Sequence, residues 1–220
     1  PPAGTLRVGV TGALPNRDIH ALVSEWATLF GPGPAYNRLL RFDLDALGPM
    51  SLAVECDLCQ SWRFVDDLTF EVTLDPLATW QAGGDVRRAV TTEEVILSLE
   101  RLRTPDLPHA VLLDSVDTIR SVGDRTVRFA LRFPDPDLPL KLASPYAVIV
   151  APEGFNDGDM RTGPVIGSGR WLFTQAQSGQ VVLSAWEGHD RNVRSEKIVF
   201  KLAAQSDLLP RLLRQGQVDL

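Results

Sequence analysis

The chain has 220 residues, 44% hydrophobic and 23% charged, enough apolar material for one sizeable core or two small ones. A formal net charge of −6, with arginines scattered rather than clustered, excludes the basic footprint of a nucleic-acid-binding surface. No apolar run approaches the length a membrane-spanning helix needs.

Leu6, Val8 and Val10 alternate, so a strand begins almost at once. The strand breaks at Thr-Gly-Ala-Leu-Pro, 11–15. Asn16 or Asp18 is then placed to cap a helix in which Ile19, Leu22, Val23, Trp26, Leu29 and Phe30 recur at helical spacing, and Gly-Pro-Gly-Pro at 31–34 stops it. In α/β sheets a ligand lies beyond the carboxyl ends of strands, which puts residues 11–16 at a candidate site. Residues 35–43 read as a helix end that packs Tyr36, Leu39 and Leu40 into the core and leaves Asn37 and Arg38 open.

Residues 51–55, 61–64 and 68–74 read as short strands of an antiparallel meander, with turns at Asp57 and at 65–68. Leu68, Phe70, Val72 and Leu74 form its buried face, and Trp62 and Trp80 are read as core aromatics. After a Gly-rich break, Thr91 or Thr92 caps a helix whose Val95, Leu99 and Leu102 share one side. A Thr-Pro-Asp-Leu-Pro run, 104–108, ends it. Residues 111–122 and 125–133 follow as strands joined at Gly123-Asp124; a turn at 134–139, a short helix at 140–143 and a buried strand at 146–152 come next. Residues 153–164 should be a mobile loop. Gly167 and Gly169 let the backbone turn tightly and approach a neighbour. Strands at 171–175, 181–186 and 197–202 precede a helix at 208–216, and residues 216–220 enter what reads as another strand.

The ordered set resembles a known family. An acidic turn, a Leu-Thr-Phe strand, Trp80, Gly83, then Glu94-Val95 and Ser-Leu-Glu-Arg at 98–101 are similar to the family 5 extracellular solute-binding proteins, the oligopeptide and dipeptide receptors of ABC importers. Tyr36 before Leu39-Leu40, the short helix before a strand ending in Pro152, Gly167-x-Gly169, and the closing helix with its Gly-Gln-Val-Asp strand occupy the family's further boxes in order. Four places depart from the pattern. Asp75 stands where members carry Arg, Gln81-Ala82-Gly83 replaces His-Asp-Gly, Arg170-Trp171 replaces Pro-Tyr, and residues 186–191 stand where members carry a tyrosine-tryptophan box.

The resemblance implies an α/β fold: a periplasmic-binding-protein-like lobe of type II with an inserted β-rich subdomain. Residues 1–44 and 146–220 would form the lobe and residues 45–145 the insert, with the second lobe beyond Leu220. It implies non-catalytic capture of a solute, a peptide first, between two lobes. Delivery to an ABC permease would follow, from a periplasmic or lipoprotein-anchored monomer without cofactor, metal or nucleic acid. Nickel chelates and sugars stay open as solutes. By position on strand-end loops and as a cleft aromatic, the resemblance makes Leu14, Pro15, Asn16, Asn37 and Trp171 the candidate ligand contacts. A single wall of the cleft should bind weakly or not at all.

Other classes have less to build on. His20, His109 and His189 have neither metal-ligand spacing nor a motif-defined nucleophile and read as surface or capping residues. Cys56 and Cys59 read as a structural pair, either a short-loop disulfide or two thiols, with redox catalysis as an alternative. A Gly-x-Gly with no helix after it is weak evidence for phosphate binding. A sensory or regulatory protein using the same lobe is the main alternative function.

Overall fold

The structure is a computed structural model and describes residues 4–12, 16–43, 53–81, 88–155, 160–175, 180–187, 194–203 and 205–220. Strand β1 (Thr5–Thr11) forms as its alternation requires. The helix predicted after it does not: a turn at 19–21 and three residues without regular structure lead to five residues of π-helix, Trp26–Phe30. The apolar residues serve two different clusters, which one helical stripe could not reach. Ile19 and Leu22 pack with Tyr36, Val148 and Val150, whereas Trp26 and Phe30 pack with Val10 and Phe200, leaving Val23 exposed.

Residues 35–43 also differ from the expected helix end. They run extended as β2 (Asn37–Arg38) and β3 (Leu40–Phe42), because residues 148–149 and 54–56 offer backbone partners to each in turn. Tyr36, Leu39 and Leu40 are buried as expected. Strand β4 (Val54–Cys56) pairs with β3, and β5 (Cys59–Asp66) follows after a two-residue link closed by a Cys56–Cys59 disulfide. Strand β6 (Thr69–Leu74) returns antiparallel to β5 with Phe70, Val72 and Leu74 fully buried. Trp62 on β5 is 36% exposed, against the expectation of a core aromatic, because β5 is an edge strand with only its first residue buried.

Two short strands, β7 (Thr79–Trp80) and β8 (Arg88–Ala89), bring the chain to helix α1 (Thr92–Leu102). Thr91 is the cap: its side chain accepts from Glu94 N, and the Glu94 carboxylate accepts from Thr91 N. The predicted strand 111–122 divides into a 3-10 turn, Ala110–Leu113, and β9 (Val116–Val122). Val111, Leu112 and Leu113 are consecutive, so a period of two only begins at Val116. Gly123, at φ +65°, makes the turn into β10 (Thr126–Leu131).

Helix α2 (Leu138–Leu142) precedes β11 (Val148–Ile149), the hydrogen-bonded part of an apolar run buried throughout. Its two faces serve different clusters: Val148 and Val150 face Ile19 and Tyr36, while Ile149 and Ala151 join Leu99 and Phe129. Strands β12 (Trp171–Gln175), β13 (Gln180–Ala185) and β14 (Lys197–Ala203) precede helix α3 (Leu209–Arg214), which stops at Gly216, φ +64°. Residues 218–220 are not a strand of the sheet. Even so, they lie along β1, where Arg7 O accepts from Asp219 N and Gly9 N donates to Leu220 O.

The described residues form two four-stranded sheets, ordered β1-β14-β13-β12 and β5-β6-β10-β9, and three two-stranded ones. The β1–β14 pairing is parallel; the remaining neighbours in both large sheets are antiparallel. Helix α1 buries Val95, Leu99 and Leu102 in the cluster that holds Phe70, Trp80 and Phe129. Burial of each such side chain contributes roughly 1.5–3 kcal/mol, so this face fixes the helix far more firmly than its intrinsic propensity does.

Candidate functional site

Gly167 and Gly169 bring the chain entering β12 against the short strands. A Cβ at Gly167 would lie 1.9 Å from Ala35 O, so only glycine permits this approach, and Gly169 N donates to the same oxygen at 2.9 Å. Buried Gln81 stitches the junction. Its Nε2 donates to Gly169 O and Trp171 O at 2.8 Å and to Ala35 O at 3.2 Å, while its backbone N donates to Gly167 O at 2.8 Å.

Beside this junction lies a cavity of about 320 Å³ whose wall includes Asn37, Arg38, Arg41, Asp57, Arg170 and Trp171. That volume suits a small solute or one residue of a larger one. Asp57 sits inside the disulfide-closed link and is held by three hydrogen bonds. Its carboxylate accepts from Asn37 Nδ2 at 2.8 Å and Arg38 N at 2.9 Å, and its own N donates to Leu39 O. The Arg38 guanidinium is only at ion-pair range from it, Nε to Oδ2 3.9 Å. Arg41 meets Glu55 at 2.5 Å, on a carboxylate that is 42% exposed. Among the described residues, the buried Nε atoms of Arg38 and Arg41 have no hydrogen-bond partner.

The electrostatics follow. Burial pulls the Arg38 guanidinium below its ordinary range; Asp57 opposes this and neighbouring Arg41 adds to it. Burial pushes the Tyr36 phenol far above its ordinary range, so it stays a neutral donor in the wall. The cavity is thus a cationic, partly desolvated recess in a chain of net charge −6.

Of the residues singled out in the sequence, Asn37 and Trp171 come together on this wall. Asn16 does not join them; its Oδ1 accepts from Asp18 N at 2.9 Å and shapes the turn after β1. Leu14 and Pro15 lie outside the described residues. Arg41, Asp57, Arg170 and Gln81 escaped the sequence reading as contributors. The available signals were the departures at 81 and 170 and the position of Asp57 between two cysteines.

The histidines also require a correction. His20 is fully buried, its Nε2 donating to Val148 O at 3.0 Å, and His109 is buried against Tyr146 with ring centroids 3.7 Å apart, donating to Leu22 O. Neither is a surface residue; His109 stands at the cap position of the 3-10 turn Ala110–Leu113 but its side chain makes no capping bond, and His189 lies outside the described residues. Asp18, expected as a helix cap, caps only the turn at 19–21, its Oδ1 accepting from Ala21 N at 3.2 Å, and it also forms a buried two-point ion pair with Arg101, 2.5 and 2.8 Å, which ties this turn to helix α1.

Residues 53–220 match the family model described as bacterial extracellular solute-binding proteins, family 5 Middle. Among solved structures, the solute-binding protein MoaA of Agrobacterium tumefaciens R10, in complex with mannopinic acid, is 26% identical with a TM-score of 0.84; the match covers 98% of this chain and 44% of MoaA. OppA of Burkholderia pseudomallei matches at 18% identity and TM-score 0.82, covering 98% of this chain and 45% of OppA. DppA of Helicobacter pylori, a periplasmic binding protein in complex with the peptide STSA, matches at 15% and 0.83, covering 98% and 46%. The last two show a shared fold. This chain therefore spans a little under half the length of each of these proteins. No curated protein sequence matches it.

Proposed function

This chain belongs to the bacterial extracellular solute-binding proteins, family 5, and from that premise we propose that it forms one wall of a receptor that captures a peptide outside the cytoplasm and passes it to an ABC permease. The family's role is non-catalytic solute binding. In this reading residues 1–44 and 146–220 make one lobe, residues 45–145 an inserted β-rich subdomain, and a second lobe closes over the solute. Closure requires that the solute bind the closed form better than the open one.

The observation that carries the reading is the cavity itself: a recess of solute size placed where the chain entering β12 meets β2 and β3, with Asn37 and Trp171 on its wall. An aromatic face beside an amide suits a peptide group, offering apolar area together with a donor and an acceptor. Support for a peptide also comes from DppA, whose structure was determined with one and whose fold this chain shares.

The test is a titration of the protein carrying sequence beyond Leu220 with a pool of tripeptides, followed by tryptophan emission. Saturable binding in the micromolar range is expected. A protein that ignores the pool but binds a nickel chelate or a free sugar overturns the peptide assignment.

A further inference from the structure

The disulfide-closed link Cys56-Asp57-Leu58-Cys59 connects two sheets to one wall of the cavity. Its first cysteine lies opposite Leu40 in the β3–β4 pair and its second opposite Leu74 in the β5–β6 pair. Between them the Asp57 carboxylate accepts from Asn37 Nδ2 at 2.8 Å and Arg38 N at 2.9 Å, while Asp57 N donates to Leu39 O and Leu58 N to Arg38 O. Leu58 O accepts from Asp75 N, and the Leu58 side chain is buried in the core. All of these bonds need the link in one shape, and joining the cysteines removes most of the alternatives. Among the described residues the other bond to the Asn37 side chain is long, Ser168 Oγ to its Oδ1 at 3.5 Å, so Asp57 sets the orientation of the amide. The two sulfurs differ in surroundings: Cys59 is buried, whereas Cys56 is half-buried.

We propose that the Cys56–Cys59 bond is a redox-sensitive clamp on the cavity wall, with Asp57 the positioning residue that passes its state to Asn37 and β2. Closed, the bond holds the Asp57 carboxylate against Asn37 and Arg38. Open, it frees the backbone at Asp57, and the Asn37 amide loses its fixed acceptor. Opening needs a dithiol, small or protein-borne. One thiolate of the dithiol attacks Cys56 Sγ, the less buried sulfur, and Cys59 leaves as a thiolate and takes a proton. The dithiol's second thiolate then attacks its own sulfur in the mixed disulfide, so that Cys56 leaves and is protonated and the reductant closes its own disulfide. Two electrons have passed to the cysteine pair. The clamp deepens the receptor reading and rests on it only for the wall's role in holding a solute; the coupling of disulfide to wall is a property of this link.

The test compares amide hydrogen exchange of this chain with the bond closed and after millimolar dithiothreitol without denaturant, alkylation and mass measurement confirming the free thiols. Reduction should speed exchange at Arg38, Asp57 and Leu58 by about tenfold more than at Phe70 and Val72 in the neighbouring sheet. Asp57→Ala, with the bond intact, should speed Arg38 by about tenfold and leave Leu58 unchanged. Reducing that variant should add less than about twofold at Arg38, because the residue that transmits the change is gone. Cys56→Ser should reproduce the reduced pattern. A bond that resists the dithiol, equal acceleration at Phe70 and Val72, or an Arg38 indifferent to Asp57→Ala overturns the clamp and leaves the link a static brace. Titrating tripeptides into the protein carrying sequence beyond Leu220, in both redox states, separates the clamp from the receptor reading. Binding several-fold weaker in the reduced state supports both, and equal binding in the two states keeps the receptor and overturns the clamp. A protein that ignores peptides in both states removes the peptide assignment, while the exchange rates still decide the clamp.

Discussion

At the scale of single residues, two buried polar side chains do more than any exposed one. His20 is held neutral: burial pushes its pKa from 6.5 down to about 4, against the opposing hydrogen bond to Val148 O, with Arg101 lowering it and Asp18 raising it. Below pH 6.5 the unfolded chain takes up a proton that the folded chain refuses, so His20 favours folding fully above that pH and loses the contribution as pH falls towards 4. The loss is about 3 kcal/mol. Urea denaturation from pH 7 to 4.5 should show a steeper loss of stability in the parent than in His20→Gln, whose amide donates to the same carbonyl; identical slopes would contradict it. Gln81 works through geometry. Gln81→Ala strands the carbonyls of Gly169 and Trp171 without their donor and should cost about 2–4 kcal/mol. Gln81→Glu keeps the shape but offers no donor and places a charge among carbonyl oxygens, so thermal unfolding should show it to be the worse of the two.

At the scale of elements, helix α1 shows sequence and structure in full agreement. Its start is written in Thr91 and Glu94, its face in Val95, Leu99 and Leu102, and all of these behave as their spacing requires. Glu94 also accepts from Trp80 Nε1 at 2.8 Å and pairs with Arg88, so the cap doubles as the anchor of β7 and β8. Burial opposes its ionisation, but the bonds from Trp80, the Thr91 backbone and Arg88 outweigh this and hold the carboxyl below its usual range. Thr91→Ala should therefore cost about 1 kcal/mol and Glu94→Ala distinctly more, as read by the denaturant midpoint; equal losses would mean the anchor is unimportant. The elements that sequence misjudged share a cause. Residues 19–30 carry helical spacing, and 35–43 carry a helix-like apolar set, but each is divided between neighbours far apart in the chain. Local periodicity reports how many apolar residues recur, not how many partners they face.

At the scale of the whole molecule, the sheets were legible because alternation and turn residues are local: β6, β10 and β12 to β14 lie close to where the sequence put them. The parallel closure of β1 on β14, 192 positions apart at Thr5 and Lys197, leaves no local trace. The same holds for the cavity. Asn37 and Trp171 were singled out through the family boxes, whereas Arg170 reaches the wall because Gly167 meets Ala35, and Arg41 and Asp57 because β4 pairs with β3 and the Asp57 carboxylate takes bonds from Asn37 and Arg38. Cys56 and Cys59 lay between these cases: spacing left thiols and disulfide open, and the structure joins them. The match covers 98% of this chain but under half of MoaA, OppA and DppA, and the proposal that it is one wall of a two-lobed receptor starts from that shortfall. A wall alone hides little of a solute from water and should release it during purification. The direct test of that claim is native mass spectrometry of this chain beside the protein carrying sequence beyond Leu220, both purified without denaturation from the cells that make them. The account predicts a heterogeneous peptide-like mass on the longer protein and none on this chain. A defined small molecule or metal retained by the 220 residues alone would show a site complete within them and contradict the account.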